Sequence, residues 1–140
     1  MSKVAVVYWS GTGNTAAMAQ AVSDGATGSG AEVNIIPAAQ FTEADVASYD
    51  AIAFGCPAMG AEQLEESEFE PMYEAVKGSL SGKKIGLFGS YGWGDGEWMR
   101  LWEADAKGVG ANLVTDSVLA NNAPDDDAIA ACKSLGTALA

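Results

Sequence analysis

Residues 3–15 read Lys-Val-Ala-Val-Val-Tyr-Trp-Ser-Gly-Thr-Gly-Asn-Thr, and the organisation of the whole chain follows from them. The apolar run 4–9 does not alternate with polar residues, which is typical of a strand buried on both faces of a parallel sheet. A loop of glycine and hydroxyl residues follows, and a helical pattern begins at Ala16. The start of a helix presents free backbone N–H groups where the helix dipole favours an anion. The stretch therefore predicts a phosphate-binding loop, although the same residues could form an ordinary capped turn.

The side chains of this loop indicate a terminal phosphate. Four that form hydrogen bonds stand within six residues, namely Ser10, Thr12, Asn14 and Thr15. The loop lacks the Lys that a nucleotide-triphosphatase loop places on the outer phosphates. Gly11, Gly13 and Ala16 match the dinucleotide fingerprint G-x-G-x-x-G/A, a weak signal because glycine-rich turns are common. A phosphate surrounded by hydroxyl and amide groups is the interpretation that these residues favour.

Composition restricts the classes of function. The 140 residues are 49% apolar and 19% charged, which predicts one globular domain over residues 1–140. No run of eighteen apolar residues and no secretory signal occurs, so we expect a cytoplasmic protein. The net charge of −12 argues against nucleic acid and favours basic protein partners. With no His and only Cys56 and Cys132, which we expect in the core, any chemistry must come from a bound group.

Strand and helix patterns alternate along the chain. Strands are predicted at residues 4–9, 32–36, 51–55, 84–90 and 113–119, and helices at 16–28, 41–49, 65–76, 97–107 and 126–139. We expect Thr42 and Asp125 to cap the second and fifth helices. This alternation predicts an α/β doubly wound domain with helices on both faces of a five-stranded parallel sheet of order 2-1-3-4-5. Ligands of such sheets bind beyond the carboxyl ends of the strands, where the loops after strands one, three and four converge.

The loops after strands three and four carry residues suited to a planar ring. Met59 offers an apolar contact and Gly60 a flexible backbone. Trp93 stands between two glycines, which leave it little to pack against, so stacking on a ring is its expected use, with an exposed loop anchor as the alternative. Trp98 and Trp102 are four residues apart on a predicted helix and are expected in the core.

Three stretches resemble the flavodoxin family, and in particular its short-chain, anaerobe-type branch. They are Tyr-Trp-Ser-Gly-Thr-Gly-Asn-Thr at 8–15, Gly-Cys-Pro-Ala-Met-Gly at 55–60 and Leu-Phe-Gly-Ser-Tyr-Gly-Trp-Gly-Asp-Gly at 87–96. The likeness spans the chain, with the motifs in the family's order. It implies a flavodoxin-like fold and a non-covalently bound FMN that cycles through oxidised, semiquinone and hydroquinone states. The protein would then be a low-potential one-electron carrier without catalytic residues or metal.

The resemblance also implies which residues contact FMN. The phosphate would be held by Ser10, Gly11, Thr12, Gly13, Asn14 and Thr15. The ring would lie against Pro57, Ala58, Met59, Gly60, Ala61 and Glu62 on one side and Ser90, Tyr91, Gly92, Trp93 and Gly94 on the other. Partners would be redox proteins with basic docking patches, met by a monomer that binds neither nucleic acid nor membrane.

Alternative interpretations remain at this level. An FMN-dependent reductase of the same fold, acting on a quinone or nitro substrate, would need a pocket over the ring, which Trp93 would cover. A phospho-acceptor domain would need carboxylates at the strand ends, and a non-redox module would be colourless. The acidic run comprises Glu62, Glu65, Glu66, Glu68 and Glu70. It could be a solvated helix start or a negative field that opposes reduction of the flavin.

Overall fold

A parallel sheet of order β2-β1-β3-β4-β5 lies at the centre of the computed structural model, with β6 also paired to β4. The structure describes residues 2–11, 13–59, 64–92 and 96–140. The strands are β1 (Lys3–Tyr8), β2 (Glu32–Pro37), β3 (Ala51–Gly55), β4 (Lys84–Tyr91), β5 (Asn112–Leu113) and β6 (Val118–Asn121). The helices are α1 (Asn14–Gly28), α2 (Glu43–Val46), α3 (Phe69–Val76), α4 (Glu97–Gly108) and α5 (Asp126–Leu139), with short 3-10 turns at Ala38–Gln40 and Lys77–Ser79. The predicted doubly wound fold and strand order are confirmed.

The fifth predicted strand, residues 113–119, is wrong as one continuous element. The register with β4 runs from Ile85 opposite Leu113 to Phe88 opposite Val118. β4 thus advances three residues while its neighbour advances five, so two extra residues bulge out and separate β5 from β6. Because the outer side of this strand is a sheet edge, the described sheet holds the bulge without breaking a second ladder.

The third helix begins at Phe69 rather than at residue 65 as predicted. Residues 66–68 form a turn instead, because the Glu65 carboxylate accepts hydrogen bonds from the N–H groups of Glu68 at 2.7 Å and Phe69 at 2.9 Å. The second helix is also shorter than predicted, although Thr42 caps it as expected, in a capping box with Asp45. Asp125 caps α5 through a 2.8 Å bond from the Ala128 N–H group.

Two hydrophobic cores cover the two faces of the sheet. The face beneath α3 and α4 is aromatic, with Phe54, Phe69, Tyr73, Trp98 and Trp102 among its buried residues. The face beneath α1 and α5 is built from small and aliphatic residues, with Phe88 as its buried aromatic ring among the described residues. Trp98, Trp102 and both cysteines are buried as predicted. None of the helices in the described part of the chain is both long and apolar enough to span a membrane.

Candidate cofactor-binding site

A cleft of about 240 Å³ opens at the carboxyl ends of β1, β3, β4 and β6. Its described lining consists of Trp9, Gly11, Asn14, Pro57, Ala58, Met59, Ser90, Tyr91, Gly92 and Asn122. These residues come from the end of β4, from the loops that follow the strands and from the start of α1, which the parallel sheet brings to one edge. The structure therefore assembles a single cleft from segments that are far apart in sequence.

The N-terminus of α1 borders this cleft and is arranged for an anion. Ser10 Oγ accepts hydrogen bonds from the N–H groups of Gly13 at 3.0 Å and Ala16 at 3.3 Å, which folds the loop back onto the helix. Gly13 caps the helix with φ of 95°, a conformation that glycine adopts without strain. The N–H groups of Asn14 and Thr15 belong to the first turn, which has no intrahelical acceptor for them.

The first turn of α1 differs in charge from the first turns of the other described α-helices. The first turn of α1 contains no acidic residue. Each of the others carries one or two, namely Glu43 and Asp45, Glu70, Glu97, and Asp126 and Asp127. Carboxylates are the usual complement of the positive end of a helix dipole. In a chain of net charge −12, their absence from this one turn leaves its positive end available to an external anion.

Thr15 and Ser90 join this loop to the end of β4. Their hydroxyl oxygens are 3.2 Å apart, and both residues are buried. Ser90 also accepts a 3.0 Å bond at its carbonyl from the Ala58 N–H group in the loop after β3. Residue 90 thus connects the loops that follow β1 and β3, which fixes the two ends of the cleft relative to each other.

The loop after β3 is closed at its base by Cys56 and Glu65. Cys56 Sγ accepts the Glu65 N–H group at 3.3 Å and donates to the Pro57 carbonyl at 3.4 Å. Burial raises the pKa of the Cys56 thiol to about 12, so it remains a neutral donor. This contact joins the two ends of the segment 57–64, which includes Met59 of the cleft.

Glu65 is a buried cap rather than part of a solvated acidic surface. It is 5% exposed, and its carboxylate accepts bonds from three backbone N–H groups and the Ser67 hydroxyl. Burial alone would raise the pKa of this carboxyl, but the hydrogen bonds outweigh it and lower the pKa from 4.5 to about 2. The bland interpretation of the acidic run is therefore wrong for Glu65, whereas Glu66, Glu68 and Glu70 are exposed.

Tyr91 and Trp98 support the cleft from the aromatic face. Their ring centroids are 5.6 Å apart, tilted by 49°. Trp98 Nε1 donates to the Cys56 carbonyl at 3.2 Å, and the Cys56 N–H group donates to the Phe88 carbonyl at 3.1 Å. One buried indole thus holds both the base of the β3 loop and the ring of Tyr91.

The described site residues fall into two groups. Gly11, Asn14, Pro57, Ala58, Met59, Ser90, Tyr91 and Gly92 line the cleft. Ser10, Gly13 and Thr15 are not among the described lining residues; Ser10 Oγ accepts bonds from the Gly13 and Ala16 N–H groups, and the Thr15 hydroxyl pairs with that of Ser90. The other predicted site residues, Thr12, Gly60, Ala61, Glu62, Trp93 and Gly94, lie outside the described residues. Their roles stay predictions.

Two lining residues were not among the predicted site residues. Trp9 was assigned to the first strand, but β1 ends at Tyr8 and the Trp9 ring packs over Gly11. Asn122 has φ of 59°, the only positive value at a described residue other than glycine, and its N–H group donates to the Tyr91 carbonyl at 2.7 Å. The Asn-Asn pair at residues 121–122, where the last strand ends, was the available signal, since Asn tolerates this conformation better than most residues.

Comparisons with known proteins agree with this geometry. The family model described as flavodoxin matches residues 6–136. The flavodoxin of Megasphaera elsdenii is 46% identical over 137 residues, covering 98% of each chain, and that of Clostridium beijerinckii is 47% identical over 121 residues, covering 86% of this chain and 88% of the relative.

Solved structures agree as well. The solution structure of the two-electron reduced Megasphaera elsdenii flavodoxin superposes with a TM-score of 0.89 over 97% of both chains, at 46% identity. A flavodoxin from the domain Archaea has a TM-score of 0.82 at 29% identity, covering 98% of this chain and 95% of that one. The chain therefore belongs to the flavodoxin family, the FMN-containing, non-enzymatic proteins that carry electrons at low potential.

Proposed function

We propose that the cleft holds the FMN of this chain, one per molecule, with its phosphate at the N-terminus of α1 and its ring between the loops after β3 and β4. Residues 1–140 would act as one domain that passes electrons singly between redox proteins. The observation that carries the proposal is the pairing of a helix start free of carboxylates with a cleft at the same sheet edge. A phosphate and a planar ring are the two ends of FMN.

The phosphate end fits the residues that are present. Ser10 Oγ fixes the loop through Gly13 and Ala16, so its own lone pairs are already engaged. The Ser10 O–H group and the N–H groups of Asn14 and Thr15 are then the described donors at the positive end of the helix. The predicted hydroxyl of Thr12 would complete the set. A closed loop of this kind favours a terminal phosphate, so we expect FMN rather than FAD.

The part of the cleft proposed for the ring suits it because its lining is mainly apolar. Trp9, Pro57, Ala58, Met59 and Tyr91 surround the space into which a ring would enter. FMN supplies the electron chemistry, because its ring accepts and releases electrons. The protein's part is to orient that ring and to keep water from it. Tyr91 is the one titratable side chain in the described lining, which gives the cleft no evident acid–base pair for a reductase.

The charge of the chain supports a particular class of partner. With a net charge of −12, the protein attracts proteins with basic patches and repels other copies of itself. We therefore propose basic redox proteins as donors and acceptors, and a monomer in the cytoplasm. The Megasphaera elsdenii relative has been solved in a two-electron reduced state, which supports a total capacity of two electrons here.

Reconstitution of the apo-protein tests the proposed phosphate position. FMN should bind more tightly than riboflavin or FAD. Thr12→Val should weaken FMN binding by roughly 1.5–3 kcal/mol, the range for a hydrogen bond to a charged group, and should leave riboflavin binding unchanged. Affinities are measured by quenching of flavin fluorescence.

Thr27→Ala is the matched control, since Thr27 is exposed at the opposite end of α1. It should leave all three affinities unchanged. If Thr12→Val weakened FMN and riboflavin equally, Thr12 would act on the ring rather than on the phosphate, and the phosphate assignment would be wrong.

A further inference from the structure

A second cavity lies on the aromatic face, between α3 and α4. Its volume is about 170 Å³, and it is lined by Leu64, Tyr73, Glu74, Trp98, Leu101, Trp102 and Asp105. Leu101 stands at its mouth and is 60% exposed, more than any other large apolar residue in the described part of the chain. A large aliphatic side chain this exposed beside an apolar cavity marks a contact surface rather than a packing site.

The size and chemistry of the cavity indicate what it accepts. At about 170 Å³ it is smaller than the cofactor cleft of about 240 Å³, and its apolar lining of Leu64, Leu101 and Trp102 suits a single apolar side chain. Tyr73 and Trp102 are 2% and 3% exposed, and within the described part of the protein neither Tyr73 Oη nor Trp102 Nε1 has a hydrogen-bond partner. Burial raises the pKa of Tyr73, and the nearby Asp105 carboxylate raises it further, so the phenol stays protonated.

Glu74 and Asp105 line the cavity, and further acidic residues follow them along the two helices. Glu97, Leu101 and Asp105 are exposed and follow one another at intervals of four along α4, which places them on one side of that helix. Across the cavity, Glu70 and Glu74 are exposed at the same interval on α3.

The positive charge near this surface is smaller than the negative charge of its four carboxylates. Lys77 pairs with Glu74 at 2.8 Å and with Asp105 at 3.5 Å. The surface thus has an apolar centre and a negative rim, the arrangement of a protein–protein contact in which charge selects the partner.

One buried ring separates this cavity from the cofactor cleft. Trp98 lines the cavity, and its ring centroid is 5.6 Å from that of Tyr91, which lines the cleft. Trp98 also holds the Cys56 carbonyl at the base of the β3 loop. A protein seated on Leu101 would therefore lie against the same aromatic layer that supports the proposed flavin site.

We propose that this Leu101 surface is a docking point for a basic electron-transfer protein, which inserts one apolar side chain into the cavity while its Lys or Arg residues face Glu70, Glu74, Glu97 and Asp105. The proposal rests on the proposed function, since the partner is taken to exchange electrons with bound FMN. A second copy of the chain is a poor occupant, because two negative rims would oppose each other.

Electron transfer to ferric cytochrome c, a small basic haem protein used as a probe, tests the proposal. FMN-loaded protein, reduced beforehand with dithionite, is mixed with cytochrome c under anaerobic conditions in a stopped-flow instrument. In each transfer one electron leaves the reduced flavin and converts ferric haem iron to ferrous. Leu101→Ser should lower the second-order rate constant roughly five- to tenfold, the effect of losing a central interface residue.

Ile35→Ser is the matched control, because Ile35 is 39% exposed on β2, at the opposite edge of the sheet. It should leave the rate constant unchanged, and both variants should keep the wild-type flavin potentials and FMN affinity. Equal rate constants for the two variants would overturn the docking proposal. So would a slower Leu101→Ser protein with shifted potentials, or a dimer that only this variant dissociates. A wild-type protein that binds FMN but never reduces the probe would instead contradict the proposed carrier function.

Discussion

The two faces of the sheet are held together in different ways. On one face α1 and α5 approach so closely that a Cβ on Gly25 would lie 2.0 Å from the Lys133 carbonyl oxygen, and a Cβ on Gly136 would lie 2.0 Å from that of Val22. On the other face aromatic side chains fill the space. Phe54 alone makes edge-to-face contacts with Phe41, Phe69 and Tyr73 at centroid distances of 5.7–6.5 Å.

This difference corresponds to the two ends of the proposed cofactor. α1, which begins at the proposed phosphate site, is held against α5 by close contact between the two backbones. The loop after β3, proposed to contact the ring, is fixed by side chains with polar ends, Trp98 and Glu65. We therefore expect changes on the first face to affect the whole fold. Changes on the second should act on the cofactor loops as well as on stability.

The largest effect is expected for Gly136→Ala. The added methyl group would clash with the Val22 carbonyl oxygen and with the Ala26 nitrogen at 2.8 Å, so α1 and α5 must move apart. Overpacking of this kind should lower the free energy of unfolding by about 3 kcal/mol or more. Chemical denaturation at one fixed FMN concentration measures it, since bound ligand adds to apparent stability.

Gly28→Ala controls for the substitution itself. Nothing in the described structure lies within 4 Å of a Cβ at Gly28, so this variant should be as stable as the wild type or more stable by about 0.5 kcal/mol. Similar losses in both variants would show that the close helix contact does not determine the stability of this face.

Glu65→Gln should have the next largest effect. The amide keeps one oxygen acceptor but turns an NH₂ group toward backbone donors, so we expect a loss of about 2–3 kcal/mol in unfolding free energy. FMN affinity should fall too, because Glu65 anchors the loop after β3. A matched substitution at exposed Glu66 should change neither quantity.

The pH dependence of stability gives an independent measure of Glu65. Its pKa is lowered from 4.5 to about 2, so its contribution is complete above pH 4.5 and is lost as pH falls toward 2. The stability difference between wild type and Glu65→Gln should therefore shrink over this range. A difference that stayed constant from pH 6 to pH 2.5 would show that the carboxylate is not held ionised by its hydrogen bonds.

What the sequence predicts well is local and periodic. Apolar runs located β1 to β4, and the order of strands and helices gave the sheet topology. The start of α3 was missed because Glu65 is suited both to the first turn of a helix and to capping from outside it. Only the fold, which buries Glu65 against Cys56, favours the cap.

The remaining misses depend on contacts between distant segments. The break between β5 and β6 lies beside a 2.7 Å bond from the Ser117 hydroxyl to Glu103 on α4, which no sequence pattern reveals. Trp9 and Asn122 enter the cleft because the parallel sheet brings the ends of β1 and β6 to one edge. The residue types at positions 10–15 were enough to predict a phosphate-binding loop. Predicting that Trp9 and Asn122 line the cleft would have required the positions of the strand ends in the folded sheet.

Phe54→Leu tests whether contacts between aromatic rings stabilise the face beneath α3 and α4. Loss of three edge-to-face contacts, each worth about 0.5–1.5 kcal/mol beyond burial, should cost about 2 kcal/mol after the core relaxes. Met18→Leu on the opposite face, also fully buried, should cost less than about 1.5 kcal/mol because volume is conserved. Equal costs in denaturation would mean that ring geometry adds nothing to the aromatic face.

The smallest effect is expected for Tyr73→Phe. The Tyr73 hydroxyl is buried and has no hydrogen-bond partner among the described residues, so its desolvation is uncompensated in the free protein. Its removal should leave the unfolding free energy unchanged or raise it by up to about 1 kcal/mol. The ring remains and keeps its 5.7 Å contact with Phe54 and its 5.9 Å contact with Trp102, so packing is preserved. Denaturation of both proteins under identical conditions gives the sign. A loss of more than 1 kcal/mol would mean that the hydroxyl donates a hydrogen bond, with the Asp105 carboxylate the nearest candidate acceptor. In that case a buried polar bond would support the aromatic face here as it does at Glu65.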